Sequence, residues 1–526
     1  MRRALTALAA IPALAVLVAG PIDAKTLRWG NQGDVLSMDP YAVYTTINAS
    51  FLQNIYEPLI RFDRNLKLEP SLATKWETVG PTTWRFTLRP GVFFHDGSAF
   101  NADDVVASLK RASHPNSPYK PATHAIKDVR KVEDLVVDVE MHTPYPILLN
   151  DLSGVYMMDK EWLEKHNALE PFVPGKSGDS FTHLNANGTG PFILKSRRPD
   201  SDTTLVVNPK WWDKPEHNLT EVIFRPVNAD ATRTAALLSG ELDLIVPAPL
   251  QDIERIQSNP AMKALLGNDL RVMYFGLNVG APELKAGDPK GKNPLADIRV
   301  RQALYQGVDV DAIAKRLMRG YARSIASMVA PEIQGYDKSL EGRAAPFDPD
   351  AARKLLADAG YPNGFTLGLD CPNDRFVNGE QMCQAVTAMW ERIGVKVVYG
   401  PQPNTIFLKK MLDGGSDVFL VGWANTPQID AYSILNNVIH TKSPRHGAWN
   451  PGKYSNPTID KLIDEASVEL DLAKRTSKMT EAFKLFKADY GAIPLYQEPL
   501  AWAAKKNVHV AIAPDNKMRL FFARID

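Results

Sequence analysis

The two cysteines of this chain are the first residues whose spacing could do chemistry. Cys371 and Cys383 enclose Arg375 in the stretch CPNDRFVNGEQMC. A metal site is disfavoured, because no histidine is near and the spacing matches neither zinc fingers nor zinc ribbons. A disulfide, two free buried thiols and, less favoured, a redox switch remain as interpretations. If the two cysteines form a disulfide, it would hold the loop that carries Arg375.

The N-terminal sequence decides which cysteine chemistry is available. Arg2 and Arg3 precede an apolar run over residues 4–20, followed by small residues, and this pattern is typical of a secretory signal peptide over 1–24. The run is shorter than the roughly 20 apolar residues of a membrane span. Without a cysteine near the cleavage site to carry a lipid anchor, we expect a free protein in the periplasm of a Gram-negative cell. Export favours the disulfide, whose closed loop would contribute about 3 kcal/mol.

Composition and charge narrow the class of partner. The chain has 61 Lys and Arg against 60 Asp and Glu, and removal of Arg2, Arg3 and Asp23 with the signal peptide leaves equal numbers. A neutral protein has no electrostatic preference for a phosphate backbone, so we expect no nucleic-acid partner. A chain of 526 residues with ordinary apolar content predicts two or three globular domains of α/β or α+β class.

Searches for catalytic and cofactor motifs are negative. The sequence contains no GxxxxGK[ST], HExxH, CxxC or GxSxG pattern, and NGTGPF lacks the third glycine of a dinucleotide site. We therefore predict no enzyme activity, no cofactor and no catalytic or structural metal. A secreted hydrolase is the disfavoured alternative from a different functional class.

Secondary-structure signals are clearest between residues 84 and 111. Apolar and polar residues alternate over 84–89, which is the period of a half-buried strand. A Pro-Gly turn follows, and we expect residues 91–97 to return as the second strand of a hairpin. Asn101 is placed to cap the next helix. Further helices are expected within 300–320, 347–365 and 457–470, and a further strand within 395–401.

Residues 72–105, LATKWETVGPTTWRFTLRPGVFFHDGSAFNADDV, resemble the signature stretch of the family 5 extracellular solute-binding proteins. These are the dipeptide and oligopeptide receptors of ABC importers. The similarity covers nearly all of the mature chain. Further landmarks follow in the family order: NGTGPF, VRQALYQGVDVDAIA, FDPDAARKLLADAGYPNGF, the GW at 422–423 and YSNPTIDKLIDEA.

The resemblance implies an α/β, two-lobed periplasmic binding protein fold of the large, three-subdomain type, which closes on its ligand about a hinge. By the family pattern, lobe one comprises 25–272 plus 492–526, with an inserted subdomain at about 59–187, and lobe two comprises 273–491. The implied partners are a small-molecule or peptide ligand and an inner-membrane permease with its ATPase subunits. We expect a monomer, as a hinged receptor requires no second copy.

The resemblance also assigns a role to Arg375. In dipeptide receptors an arginine at this position receives the ligand's C-terminal carboxylate, which a planar guanidinium can bind with two hydrogen bonds. The structural alternative is an ion pair with Asp374 or Glu380.

The second anchor of the dipeptide receptors is missing. Their aspartate three residues after the GW tryptophan binds the ligand's amino group, and this chain has Thr426 there. Asp430 could replace it or could cap a helix, and the cap is slightly favoured. The departure argues against an ordinary dipeptide ligand.

The remaining candidates come from loops that line the cleft in this family. Trp423 could present an apolar wall or could be a buried core residue. The cargo alternatives are an oligosaccharide, an opine-like conjugate, glutathione, a metal chelate or heme, and a sensory role stays open. The other predicted ligand-binding residues are Tyr44, Thr45, Tyr274, Asn278 and Asn425.

Overall fold

The computed structural model describes residues 25–173 and 180–526, so the predicted signal peptide lies outside the described residues. None of the helices within these ranges is both long and apolar enough to cross a membrane. The strands are β1 (Thr26–Asn31), β2 (Ile60–Phe62), β3 (Leu68–Pro70), β4 (Ala73–Thr78), β5 (Thr83–Leu88), β6 (Ile126–Glu133), β7 (Val136–Met141), β8 (Phe192–Arg198), β9 (Asp202–Val207), β10 (Glu221–Pro226), β11 (Leu244–Val246), β12 (Met262–Leu277), β13 (Arg323–Ser324), β14 (Phe365–Pro372), β15 (Val395–Gln402), β16 (Val418–Trp423), β17 (Ala492–Lys505), β18 (Val508–His509) and β19 (Arg524–Ile525).

The helices alternate with these strands along most of the chain. Two short ones, α10 and α14, continue into π-helical turns at Ile313–Leu317 and Leu435–Ile439. The helices are α1 (Thr46–Leu52), α2 (Ala102–Ala112), α3 (Lys120–Thr123), α4 (Leu148–Leu152), α5 (Lys160–Lys165), α6 (Phe181–Leu184), α7 (Asp230–Leu238), α8 (Ile253–Ser258), α9 (Ile298–Gln306), α10 (Val310–Ala312), α11 (Pro349–Asp358), α12 (Gly379–Arg392), α13 (Asn404–Leu412), α14 (Tyr432–Ile434), α15 (Pro457–Val468) and α16 (Leu472–Ala488).

A single long sheet runs through the molecule in the order β15, β14, β16, β12, β17, β11, β1, β10, β9, β8, with β13 beside β17. The long strands β12 and β17 lie antiparallel at its centre, and their pairing is regular up to Asn268 with Pro499 and resumes at Val272 with Gln497. The part of β17 that pairs with the first half of β12 also pairs with β11, which in turn pairs with β1. The second half of β12 pairs with β16. The irregular pairing thus lies between two halves of one sheet, and the predicted α/β class is observed.

The predicted lobe boundaries can be placed on this sheet. A separate sheet of β4, β5, β7 and β6 lies within the predicted inserted subdomain at 59–187. The boundary after residue 272 falls within the irregular part of β12, between the register shift at Asn268–Val272 and the second one at Met273–Tyr274. Residues 492–497, which we assigned to lobe one, pair with the second half of β12, so a crossing nearer 498 fits the pairing better. The division itself remains a prediction.

Local sequence signals explain several helix ends. Asn101 accepts a hydrogen bond from the N–H of Asp103 and forms a capping box with Asp104 at the start of α2, as predicted. Asp348 caps α11, and Gly360 follows that helix at φ +92°, a conformation that suits glycine.

The predicted hairpin after residue 89 is wrong. Strand β5 pairs with β4 and β7, and residues 91–97 form only an isolated bridge between Phe93 and Ala99. The N–H of His95 donates instead to Gly188 O at 2.9 Å, and its Nε2 lies 3.0 Å from Gly190 O. A partner loop nearly a hundred residues away therefore replaces the local strand pairing.

Candidate functional site

The loop at 373–378 links β14 to α12 and carries Arg375. The structure joins Cys371, in β14, to Cys383, in α12, by a disulfide with their Cα atoms 6.7 Å apart, so the predicted disulfide is confirmed. The N–H of Val377 donates to Glu498 Oε1 at 3.1 Å, and Asn378 Nδ2 donates to Leu317 O at 3.2 Å. These contacts and the disulfide hold the loop at both ends and in its middle.

Arg375 points its guanidinium into an open cleft. Within the described ranges it forms no hydrogen bond or ion pair. Its guanidinium carbon lies over the Phe376 ring, 5.4 Å from the ring centroid. The carboxylate of Asp374 accepts from the N–H of Asn404 at 2.8 Å instead. Partial desolvation by the cleft walls lowers the pKa of Arg375, and the charge of Arg271 lowers it further. An anion bound at the guanidinium would offset both effects and raise the pKa of Arg375 again.

A second arginine, Arg271 in β12, lies at the same cleft and was missed by the sequence analysis. Its Nε lies 3.0 Å from Glu498 Oε2, and both side chains are largely buried. Its N–H donates to Asp269 Oδ1 at 2.9 Å. Burial raises the pKa of Asp269 to about 6, Arg271 opposes this shift, and the charge of Glu498 adds to it. The available signal was an arginine within the apolar stretch LRVMYFGL.

The cleft has a volume of about 530 Å³ and a mixed polar and apolar lining. The rings of Trp423 and Trp449 meet edge to face with centroids 5.7 Å apart and form an aromatic wall. Among the lining residues that the structure describes, none is Asp or Glu. Phe407, Met411 and Phe419 add apolar side chains to the lining.

An adjoining pocket of about 380 Å³ extends the cleft past the two arginines, which line both spaces. This extension, unlike the main cleft, carries carboxylates. They belong to Asp230, Asp269, Asp374 and Glu498.

Most of the predicted ligand-binding residues meet at this cleft. Tyr44 and Thr426, which are far apart in the sequence, both line it, and their side chains lie close to each other. Burial raises the pKa of Tyr44 to about 12. The hydroxyl of Thr45 accepts from the N–H of Asn48 at 3.2 Å and caps α1, so its lone pairs are partly committed. Tyr274 is 3% exposed and contributes to the floor.

Asn425 also lines the cleft and has a buried side-chain donor. Its backbone adopts φ +53°, and its Oδ1 accepts from the N–H of Ile434 at 3.2 Å. Its Nδ2 is buried without a hydrogen-bond partner within the described part of the chain. A buried unpaired donor is costly, so a ligand oxygen that accepts from Asn425 would gain from this group.

Two predicted residues lie away from the cleft. The carboxylate of Asp430 is fully buried, accepts from the two terminal nitrogens of Arg475 at 2.7 and 2.8 Å, and accepts from the N–H of Tyr432. Asn278 is also buried, and its Nδ2 donates to the carbonyls of Gly414 and Ser416. Both side chains therefore already have protein partners, and Asp430 does not compensate for Thr426.

An α/β fold built on one long sheet, with a cleft beside its two long central strands, is the architecture of a solute-binding protein. Residues 67–444 match the bacterial extracellular solute-binding proteins, family 5. The chain belongs to this family.

The individual similarities extend over nearly the whole chain. The glutathione-binding protein GsiB of Pectobacterium atrosepticum is 28% identical over 514 residues, which cover 95% of this chain and 94% of GsiB. The structure of HbpA2 from Haemophilus parasuis is 24% identical with a TM-score of 0.79, over 95% of this chain and all of HbpA2. The structure of MoaA from A. tumefaciens R10 in complex with mannopinic acid is 26% identical with a TM-score of 0.74, over 96% of this chain and all of MoaA.

Proposed function

We propose that this protein is the periplasmic receptor of an ABC importer and that it captures a peptide or a similar solute by its carboxylate. The observation that carries this proposal is the unpaired guanidinium of Arg375 in the cleft. Its planar donors fit a carboxylate bidentately, and the nearby charge of Arg271 adds to the attraction. Glutathione and mannopinic acid are both acids. The glutathione-binding relative and the similar structure with mannopinic acid therefore support recognition of a carboxylate.

The charges of the cleft lining restrict which solutes can bind. Two arginines and no carboxylate line the main cleft among the described residues. A ligand ammonium enclosed beside Thr426 would lack a counter-charge, and an unpaired buried charge costs several kcal/mol. The favoured ligand therefore carries a carboxylate and either lacks a free amine or is long enough to place it in the extension, near Asp269 or Glu498. A non-peptide acid is the second candidate on the same observation.

Transport requires capture and release without covalent change of the solute. The two predicted lobes are already in contact, since Asn150 Nδ2 donates to Gln428 O at 2.8 Å and the side chains of Tyr44 and Thr426 lie close together. Closure about the hinge would enclose the solute and present a changed surface to a membrane permease, which ATPase subunits on other chains energise. We expect no turnover of bound peptides or esters.

The test begins with native mass spectrometry of protein released gently from the periplasm, followed by identification of the molecule freed on denaturation. A strain without this receptor should fail to accumulate that molecule. Calorimetry with the identified solute then compares Arg375→Ala, Arg375→Lys and the remote surface variant Arg353→Ala. Loss of a charge-assisted pair costs about 1.5–3 kcal/mol, so Arg375→Ala should weaken binding by roughly 10- to 150-fold.

Arg375→Lys should fall between the wild type and Arg375→Ala, because lysine keeps the charge but loses the planar donor geometry. Arg353→Ala should bind as tightly as the wild type. A folded Arg375→Ala protein with wild-type affinity, or a bound solute without an acidic group, would contradict the proposal.

A further inference from the structure

We propose that His440, His446 and Asp464 form a binding site for a divalent transition metal such as Zn²⁺, outside the solute cleft. His440 follows the π-helical turn Leu435–Ile439, His446 belongs to the loop after it, and Asp464 lies on α15. One ligand atom from each of the three side chains lies within 4.8 Å of the other two. None of the three lines the solute cleft, and the inference does not rest on the identity of the solute.

The hydrogen bonds of His440 determine which of its nitrogens is free. Its Nδ1 lies 2.8 Å from the carbonyl oxygen of Thr441, and a carbonyl can only accept, so Nδ1 carries the proton. In the neutral ring Nε2 therefore presents a lone pair. This nitrogen lies 3.3 Å from Asp464 Oδ1, so the two atoms can share a proton or bind one metal ion.

The ring proton of His446 can be located in the same way, from the oxygen that faces Nδ1. Its Nδ1 lies 2.6 Å from Asn436 Oδ1, an acceptor that also lies 3.3 Å from the hydroxyl of Tyr432. This assigns the proton to Nδ1 and leaves Nε2 unprotonated, 4.0 Å from Asp464 Oδ1. Each histidine thus donates its other ring N–H to an oxygen, which is the outer-sphere arrangement that orients metal-bound histidines.

Three potential ligand atoms therefore converge, and a metal ion would displace any proton that the carboxylate shares with a ring nitrogen. Two imidazole nitrogens and a carboxylate oxygen are the ligand types that Zn²⁺ takes at about 2.0–2.2 Å, with water in a fourth position. Ligand atoms around a tetrahedral zinc lie about 3.4 Å apart, so the present atoms must approach further. His440 is 9% exposed and fixed, whereas His446 and Asp464 are 26% and 57% exposed and can rotate to close the distance.

The consequence for the protein is a link between α15 and the cleft wall. The two imidazole rings now stack with centroids 4.2 Å apart, and the loop that carries His446 continues to Trp449, whose ring meets Trp423. A metal ion would fasten this loop to α15. It would thereby hold Trp449 in its place at the cleft.

The test is calorimetric titration of the chelator-treated mature protein with ZnCl₂. We expect one Zn²⁺ per chain, and His446→Gln and the more exposed Asp464→Asn should each abolish this binding while circular dichroism shows a folded protein. His509→Gln is the matched control, because His509 Nε2 pairs with Asp526 at 2.7 Å without a second histidine; it should bind as the wild type.

Amide hydrogen exchange provides a second measurement at the site. Zn²⁺ should slow exchange in residues 441–450 and in the part of α15 around Asp464 of the wild type, and should leave exchange in His446→Gln unchanged. Absence of Zn²⁺ binding by the wild type would overturn the proposal. Undiminished binding by both His446→Gln and Asp464→Asn would also overturn it, since the ion would then lie elsewhere, for example at the carboxylates of Asp104, Asp159 and Glu161.

Discussion

Replacement of Asp430 tests the assignment of polar residues to the core or to the cleft. Asp430 and Arg475 are almost completely buried and form two charge-assisted hydrogen bonds at 2.7 and 2.8 Å. Asp430→Asn keeps the size of the side chain and removes its charge, so Arg475 would remain buried without an anion. Removal of one partner from a buried pair costs about 3–5 kcal/mol. Because these contacts lie away from the cleft, the folded variant should keep the wild-type ligand affinity.

The assay is urea unfolding of ligand-free protein, followed by circular dichroism and tryptophan fluorescence. Asp413→Asn is the matched control, since Asp413 pairs with Lys409 at 2.8 Å but both side chains are well exposed. The two aspartates thus have nearly equal distances to their partners and differ in burial. We expect no measurable change for the control, because solvent screens an exposed pair.

Two results would refute this reasoning. If Asp430→Asn destabilised the protein no more than Asp413→Asn, burial would not govern the energy of the pair. If the folded Asp430→Asn protein lost ligand affinity while it kept its stability, Asp430 would act on the ligand after all.

Three further predictions concern the cleft. Replacement of both Cys371 and Cys383 by serine should lower the free energy of unfolding by about 3 kcal/mol in urea titrations and weaken ligand binding, because the closed loop holds Arg375; an unchanged midpoint would count against this. Asp269 has a pKa raised from 3.8 to about 6, so its contribution to stability is fully present below pH 3.8 and is lost as the pH rises through 6. Wild-type stability should accordingly fall by about 3 kcal/mol relative to Asp269→Asn across that interval, and parallel pH profiles would contradict the assignment. Thr426→Asp should raise the affinity for peptides with a free amino group, with Thr426→Asn as the uncharged control in the same calorimetric panel; equal affinities would show that the amine does not approach this position.

The sequence allowed prediction of features that depend on neighbouring residues. The caps at Asn101 and Asp348 are correct because a helix end is determined by side chains within one turn of it. The disulfide was predictable because both cysteines flank one short loop in a chain with a predicted signal peptide. The hairpin at 91–97 failed because its polar groups bind the loop near Gly188 and Gly190, which local periodicity cannot reveal.

The cleft required the tertiary fold. The family resemblance pointed to Arg375, but Arg271 and Trp449 lie on a strand and a loop without a motif, and only folding brings them together. Asn278 and Asp430 stand in suggestive sequence contexts, yet their side chains already have partners. A single sequence shows that a residue is polar but does not show whether its hydrogen bonds are satisfied.

Glu498 connects the irregular pairing of β12 and β17 with the loop that carries Arg375. Its carboxylate contacts Arg271 on β12 and accepts from the N–H of Val377 in the loop of Arg375, beside the irregular pairing of β12 with β17. Arg271 is therefore partly neutralised, whereas Arg375 remains the unpaired cation for a ligand carboxylate. Glu498→Gln can keep the bond to Val377 while it removes the charge, so Arg271 would also become available to an anion. We expect tighter calorimetric binding of a monoanionic solute by this variant, since the cleft becomes more positive; unchanged affinity would show that Arg271 does not contribute to capture.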